Sequence, residues 1–150
     1  MLFIGFLSGN VIKGVAFILT IMPLRQNAGG FHFKSKRVCV VVSLLIYIIY
    51  MLIIRNIFIG EGVQIIIYIV ASIAIIMFSP VDSDNNRLDE IEIKTYRYRT
   101  AIVWLSESMF FVIMLLIEKT YWSFIISFSM GITAFLQMIQ LLNENIGRRY

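Results

Sequence analysis

Apolar residues along this chain come in long runs separated by short polar stretches. Five runs stand out: Leu2 to Met22, Val38 to Ile54, Val63 to Phe78, Ala101 to Ile117 and Tyr121 to Leu142. All are rich in isoleucine, which in water would favour strands. Runs of roughly 17–25 apolar residues instead have the length that crosses a bilayer, where only a helix or a closed barrel satisfies its own backbone. The pattern therefore predicts an all-α fold: a polytopic integral membrane helix bundle with about five transmembrane helices, forming a single transmembrane domain over residues 1–150. The first run lacks a basic start, is too long for the apolar region of a signal peptide, and shows no small-residue cleavage pattern before Pro23. It reads as a span.

Composition supports this. The chain is 59% hydrophobic with a mean hydropathy of +0.86, too apolar for a soluble domain of 150 residues. The net charge of +4 sits in clusters. Arg25, Lys34, Lys36 and Arg37 follow the first run, Arg55 the second, Arg87, Lys94, Arg97 and Arg99 the third, Lys119 the fourth, and Arg148 and Arg149 the fifth. Basic-rich and basic-poor connections alternate, a topology signal rather than a nucleic-acid footprint. It places the first and third loops and the tail in the cytoplasm and the N-terminus outside. Residues 80–100 read as a solvated cytoplasmic connector carrying a short helix. Trp104, Tyr121 and Trp122 suit interfacial belts. Lys13 and Glu107 fall inside spans, where isolated charges are costly. Either they pair or share a water-filled cavity, or Lys13 snorkels and Glu107 stays neutral.

The candidate chemistry lies in "PLRQNAGGFHFKSKRVCVVV", residues 23–42, with a catalytic loop at about 23–39. It holds His32 and Cys39, seven positions apart and each the sole residue of its type. One cysteine excludes an internal disulfide, and one histidine with one cysteine makes a metal site improbable. No cofactor is expected. A free thiol is only slightly ionised at neutral pH and needs a base or a positive environment to act as a nucleophile. His32 supplies a base, Lys34, Lys36 and Arg37 add positive potential, and Ser35 suits an N-cap that would put Cys39 in the first turn of the next helix. Seven positions along one continuous helix would separate the pair by about 10 Å, too far for proton transfer. Gly29 and Gly30 permit the chain to fold back and close that gap. From these residues alone two readings stand: a nucleophile with its base, or two unrelated residues in the loop of a non-enzymatic membrane protein such as a transporter subunit, a holin-like protein or an assembly factor.

The segment "LRQNAGGFHFKSKRVCVVVS" resembles the signature region of the accessory gene regulator B (AgrB) family, integral-membrane cysteine endopeptidases that process autoinducing-peptide precursors in Gram-positive bacteria. Arg25, Gly29, Gly30, Phe31, His32, Cys39 and Ser43 match its pattern. A second similarity lies in "SPVDSDNNRL", through Pro80, Val81, Asp82, Asn86 and Arg87. Family members usually carry a longer stretch, with a further hydrophobic segment, before the helix that leads into the motif, so this chain is expected to lack the usual N-terminal segment. The resemblance implies Cys39 as nucleophile and His32 as general base, acting on a short precursor of an autoinducing signal to leave a thiolactone or lactone ring. It also implies Arg25, Gly29 and Gly30 at the oxyanion or in orientation, although lipid phosphate is an equal role for Arg25. Lys34, Lys36, Arg37, Ser43, Asn86 and Arg87 become candidate substrate contacts. The implied setting is the bacterial cell membrane, multi-pass, with the His32–Cys39 loop cytoplasmic. The implied partners are the precursor, the lipid bilayer and a second copy in a homodimer, with no nucleic acid.

Overall fold

A computed structural model describes residues 11–28, 36–56, 59–81 and 89–147, and these form helices joined by short connectors. Among the described residues there are five helices: α1 (Val11–Ala28), α2 (Lys36–Asn56), α3 (Glu61–Phe78), α4 (Glu90–Leu116) and α5 (Thr120–Gly147). The all-α fold expected from the apolar runs is the one observed. Glu61–Phe78, Glu90–Leu116 and Thr120–Leu142 are long and apolar enough to cross a membrane, and Val40–Ile53 is a shorter apolar helix. At 18 residues, α3 is about 27 Å long, close to the hydrocarbon thickness of a bilayer.

Helix direction follows from contacts at the two ends of the bundle. At one end the Lys13 ammonium lies 4.4 Å from the Tyr121 ring centroid, and the Ser123 hydroxyl donates to Gln64 Oε1 at 2.7 Å. At the other, Gln137 and Ser79 both reach the carbonyl of Ala28. So α1, α3 and α5 run in one direction. Tyr50 donates to the Lys13 carbonyl while Arg25 donates to Ser43, and Tyr68 meets Ser108, so α2 and α4 run the other way. Successive helices therefore alternate in direction, as consecutive spans of a bilayer must.

The last helix forms the axis of the bundle. It packs on α1, α3 and α4, and more than half of its apolar span is buried inside the protein. Small residues let it approach α3 closely: Ala71, Ala74 and Ala134 share one buried cluster with Leu24, Ala28, Ile75, Phe111, Ile126 and Met130. A side chain at Gly131 would sit 3.1 Å from the Ile67 methyl. A second cluster joins α1 and α2 to α5 through aromatic rings. Phe17 stacks on Tyr50 at 4.2 Å, and both rings meet Phe128 within 6 Å. The outward surface is as apolar as the core. Ile66, Val70, Ile73, Met77, Leu105, Met109 and Leu116 are all more than half exposed. An apolar envelope of this extent on a protein monomer belongs in lipid.

Two helix boundaries differ from the sequence reading. The first apolar run stops at Met22, but α1 continues through Pro23 to Ala28. Proline removes one helical donor, yet buried neighbours and nearby side chains keep such helices intact in membranes. Here the Asn27 amide donates to the Pro23 carbonyl at 2.7 Å and adds a local tie across that turn. The expected loop at 23–39 is correspondingly shorter, because residues 23–28 and 36–39 belong to helices. The second difference is in residues 80–100. Instead of carrying a separate short helix, residues 90–100 are the opening turns of α4. A capping box starts it: Asp89 accepts from the third helical N–H, and the Glu92 carboxylate accepts the Asp89 N–H at 3.1 Å. Charged residues hid the helix from an apolar-run reading.

At Gly14 the α1 backbone lies against side chains of α2. A side chain there would run into the Tyr47 hydroxyl and lie 2.9 Å from the Met51 terminal methyl. Gly14→Val is expected to destabilise the protein by about 1–3 kcal/mol through overpacking. Gly62→Ala, a helical position with nothing within 4 Å, should be neutral or stabilising by up to about 1 kcal/mol. Thermal melting of the two variants in detergent reads the difference.

Candidate functional site

The described part of the candidate site is built where α1 ends. Ala28, the last residue of α1, is fully buried, and its carbonyl is one of the groups a helix leaves without an internal donor. Three donors converge on it: the Val81 backbone N–H at 3.2 Å, the Gln137 amide at 2.7 Å and the Ser79 hydroxyl at 3.1 Å. Ser79 also reaches Thr100 at 3.2 Å, and its own carbonyl accepts from the Arg97 Nε at 3.3 Å. Thr100 in turn donates to the Tyr96 carbonyl one turn earlier on α4. One junction thus joins α1, the Ser79–Pro80–Val81 connector, α4 and α5. Gly29 and Gly30 follow directly from it in the chain.

This arrangement brings together the two sequence motifs. Arg25 and Ala28 belong to the first, Pro80 and Val81 to the second, and the Val81–Ala28 bond links them across 53 positions of chain. Arg25 reaches α2 as well, its guanidinium meeting the Ser43 hydroxyl at 3.5 Å. That is the long limit for a hydrogen bond, so its value is contact and charge rather than strong bonding. Ser43 stands one helical turn beyond Cys39 on α2, whose backbone occupies the first turn of that helix. Gly29, Gly30, His32, Lys34, Ser35, Asn86 and Arg87 lie outside the described residues, as do the side chains of Lys36, Arg37 and Cys39.

Over residues 1–141 the chain matches the family model for accessory gene regulator B. The chain belongs to the AgrB family. No curated protein and no solved structure matches it. Membership in AgrB assigns the chain to accessory gene regulator peptide processing and, with its apolar helices, to the membrane. Within an AgrB protein, both motifs fall inside the matched span, and so do α1 to α4 and the greater part of α5.

Sequence reasoning passed over Gln137, Ser79 and Thr100, and counted Arg97 only as a loop charge. A signal for the first was present. Two glutamines, Gln137 and Gln140, stand three apart in an otherwise apolar span, with Ser129 and Thr133 preceding them at four-residue steps. All four are buried. Polar residues at helical spacing inside a span face protein rather than lipid. Ser79 and Thr100 carried no comparable mark, since they flank what reads as a loop.

Lys13 and Glu107 do not pair. Lys13 lies over Tyr121, and its helix is joined to α2 by the Tyr50–Lys13 backbone contact at the same end of the bundle. Glu107 is 7% exposed, sits on α4 between Trp104 and Phe111, and has one carboxylate oxygen buried without a hydrogen-bond partner among the described residues. Lys13 lies at the end of the bundle marked by Tyr121, whereas the Tyr68–Ser108 bond sets the neighbouring Glu107 deeper along α3. Without a shared partner the two side chains should act independently. Losses of thermal stability in Lys13→Ala and Glu107→Gln are expected to add within about 0.5 kcal/mol in the double variant. Strong non-additivity in detergent melts would restore the pair.

Proposed function

We propose that this AgrB protein is a cysteine endopeptidase that cuts a short autoinducing-peptide precursor and closes the remaining part into a ring. Cys39 is the nucleophile and His32 the general base. The Cys39 thiolate attacks a precursor carbonyl, forming a C–S bond, and the proton taken up by the imidazole passes to the departing amine as the C–N bond breaks. A thioester to Cys39 remains. An internal cysteine of the precursor, deprotonated by the same imidazole, then attacks the thioester carbonyl and expels Cys39 as thiolate. The product is a thiolactone, or a lactone when serine takes that part. No oxidant or metal enters the balance. An intramolecular nucleophile held beside the thioester competes well with water, and a site at the membrane interface limits water further.

The observation that carries the reading is the family match across residues 1–141, which spans both His32 and Cys39. Two local features favour it. The position of Cys39 in the first turn of α2 puts it near the positive end of the helix dipole, which favours thiolate. Arg25, one turn away against Ser43, adds a fixed positive charge on the same pair of helices, suited to orienting the precursor or steadying the oxyanion. Gly29 and Gly30 would offer backbone N–H groups for the same purpose. Lys34, Lys36, Arg37, Ser43, Asn86 and Arg87 are proposed to contact the precursor.

The proposed orientation puts this end of the bundle in the cytoplasm. The end of α1 and the start of α4 bring Arg25, Lys94, Arg97 and Arg99 to one side, whereas Lys13 and Lys119 belong to the other. In a reducing cytosol the thiol stays free. A homodimer is the proposed assembly, as the family resemblance implies.

Purified protein in liposomes, incubated with a candidate precursor peptide and read by mass, tests the activity. Cys39→Ala should abolish processing while the protein still inserts. His32→Gln should slow it by about 100-fold or more, since an amide can accept a hydrogen bond but cannot carry the proton. Undiminished cleavage by Cys39→Ala would end the cysteine-peptidase reading.

A further inference from the structure

We propose that Gln137 of α5 is a positioning residue for the candidate site: its amide holds the Ala28 carbonyl, and with it the end of α1 that precedes Gly29 and His32 in the chain. The proposal rests on the cysteine-peptidase reading above.

The assignment comes from counting protons and lone pairs at the junction. A backbone carbonyl has two lone pairs, and a serine hydroxyl has one proton. Ser79 is within reach of both the Ala28 carbonyl and the Thr100 hydroxyl, at 3.1 and 3.2 Å. Thr100 uses its proton on the Tyr96 carbonyl at 2.9 Å, so it can only accept from Ser79. The Ser79 proton thus has two acceptors to serve, whereas the Val81 N–H and the Gln137 amide are the two donors committed to the Ala28 carbonyl. Of these two, Val81 contributes backbone. Gln137 is the donor whose identity the sequence chooses.

That choice runs against the residue's surroundings. Gln137 is fully buried within an apolar span, and its amide oxygen is buried with no hydrogen-bond partner among the described residues. A leucine or methionine would leave no such orphan, so the single contact to Ala28 is what distinguishes the glutamine from an apolar side chain of similar size. The contact is also well placed for a positioning role. It is made at 2.7 Å on the last residue of α1, from a helix 109 positions away that forms the axis of the bundle. At the opposite end of the bundle Thr120 and Ser123 of α5 reach Glu61 and Gln64 of α3, while the hydroxyls between the two ends are of a different kind. Ser127, Ser129 and Thr133 donate to carbonyls of their own helix, three or four residues back, and fix nothing outside it.

Because Cys39 is the sole thiol, the rate of its alkylation reports on the site with no precursor present. The test compares pH profiles of alkylation, processing kinetics and melting temperature for the full chain, His32→Gln, Gln137→Met and a control, Ser123→Ala. Methionine keeps the length of glutamine while removing both the donor and the orphan acceptor. The control removes a buried hydroxyl bond, to Gln64, at the opposite end of the bundle. Gln137→Met is expected to melt no lower than the parent, yet to move the apparent pKa of Cys39 up toward that of a free thiol, near 8.5. Each unit of that move slows alkylation at neutral pH about tenfold. Processing should lose kcat with KM little changed. Ser123→Ala should do the reverse, melting lower with an unaltered thiol profile.

A wild-type profile in Gln137→Met, with His32→Gln shifting it, would overturn the positioning role and leave the peptidase reading intact. If His32→Gln itself leaves the profile unchanged, the peptidase reading fails and this proposal fails with it. Should Gln137→Met not fold, Gln137→Leu is read in the same assays. Failure of both to fold would make the bond structural and overturn the proposal.

Discussion

A buried helix end has no water to turn to, and the structure of this protein depends on how one such end is satisfied. The α1 helix ends at Ala28, and a helix end leaves carbonyls without helical donors. In a buried setting each unpaired group costs several kcal/mol. Ala28, with no solvent exposure, receives donors from the α3–α4 connector and from α5. The same junction that satisfies the carbonyl therefore ties α1 to the rest of the bundle at the edge of the candidate site. Ser79 and Arg97 extend it into α4, so that four chain segments share one hydrogen-bonded end.

The distribution of polarity follows from the same constraint. Lipid accepts apolar side chains, so the outer faces of α3 and α4 carry isoleucine, valine, leucine and methionine, while serine, threonine and glutamine turn inward along α5. Most of the inward hydroxyls return a proton to their own helix, which lets them be buried without water. Small residues then bring α3 and α5 close, and the stacked Phe17 and Tyr50 rings hold α2 on the other side. Glu107 departs from this scheme, with a buried carboxylate oxygen that has no partner among the described residues.

The candidate site was legible in part. Its two motifs were visible because their residue types and spacings are unusual within an apolar chain, and Arg25, Ser43, Pro80 and Val81 occupy related places at one end of the bundle. What could not be read was their mutual contact through Ala28, an alanine with no side-chain chemistry. Its role belongs entirely to its carbonyl. Of the two readings open for Lys13 and Glu107, pairing is not the one observed. Depth was counted from a span end at Met22, whereas α1 runs on to Ala28.

By itself the sequence determined that the fold is helical and membrane-bound, because run length and hydropathy are local quantities and the bilayer demands internally satisfied backbone. It also determined the alternation of basic and basic-poor connections, and the family, through motif residues at fixed spacing. It misjudged where α1 ends and where α4 begins. At Pro23 the propensity to break a helix yields to its surroundings, and at Glu90 a capping box starts a helix whose first turns are charged rather than apolar. Only the tertiary structure decided that α5 is the axis, that Gln137 faces the end of α1, and that the two motifs meet. Those facts rest on contacts between residues up to 109 positions apart. No local pattern encodes such contacts, because each is settled by the packing of the other helices.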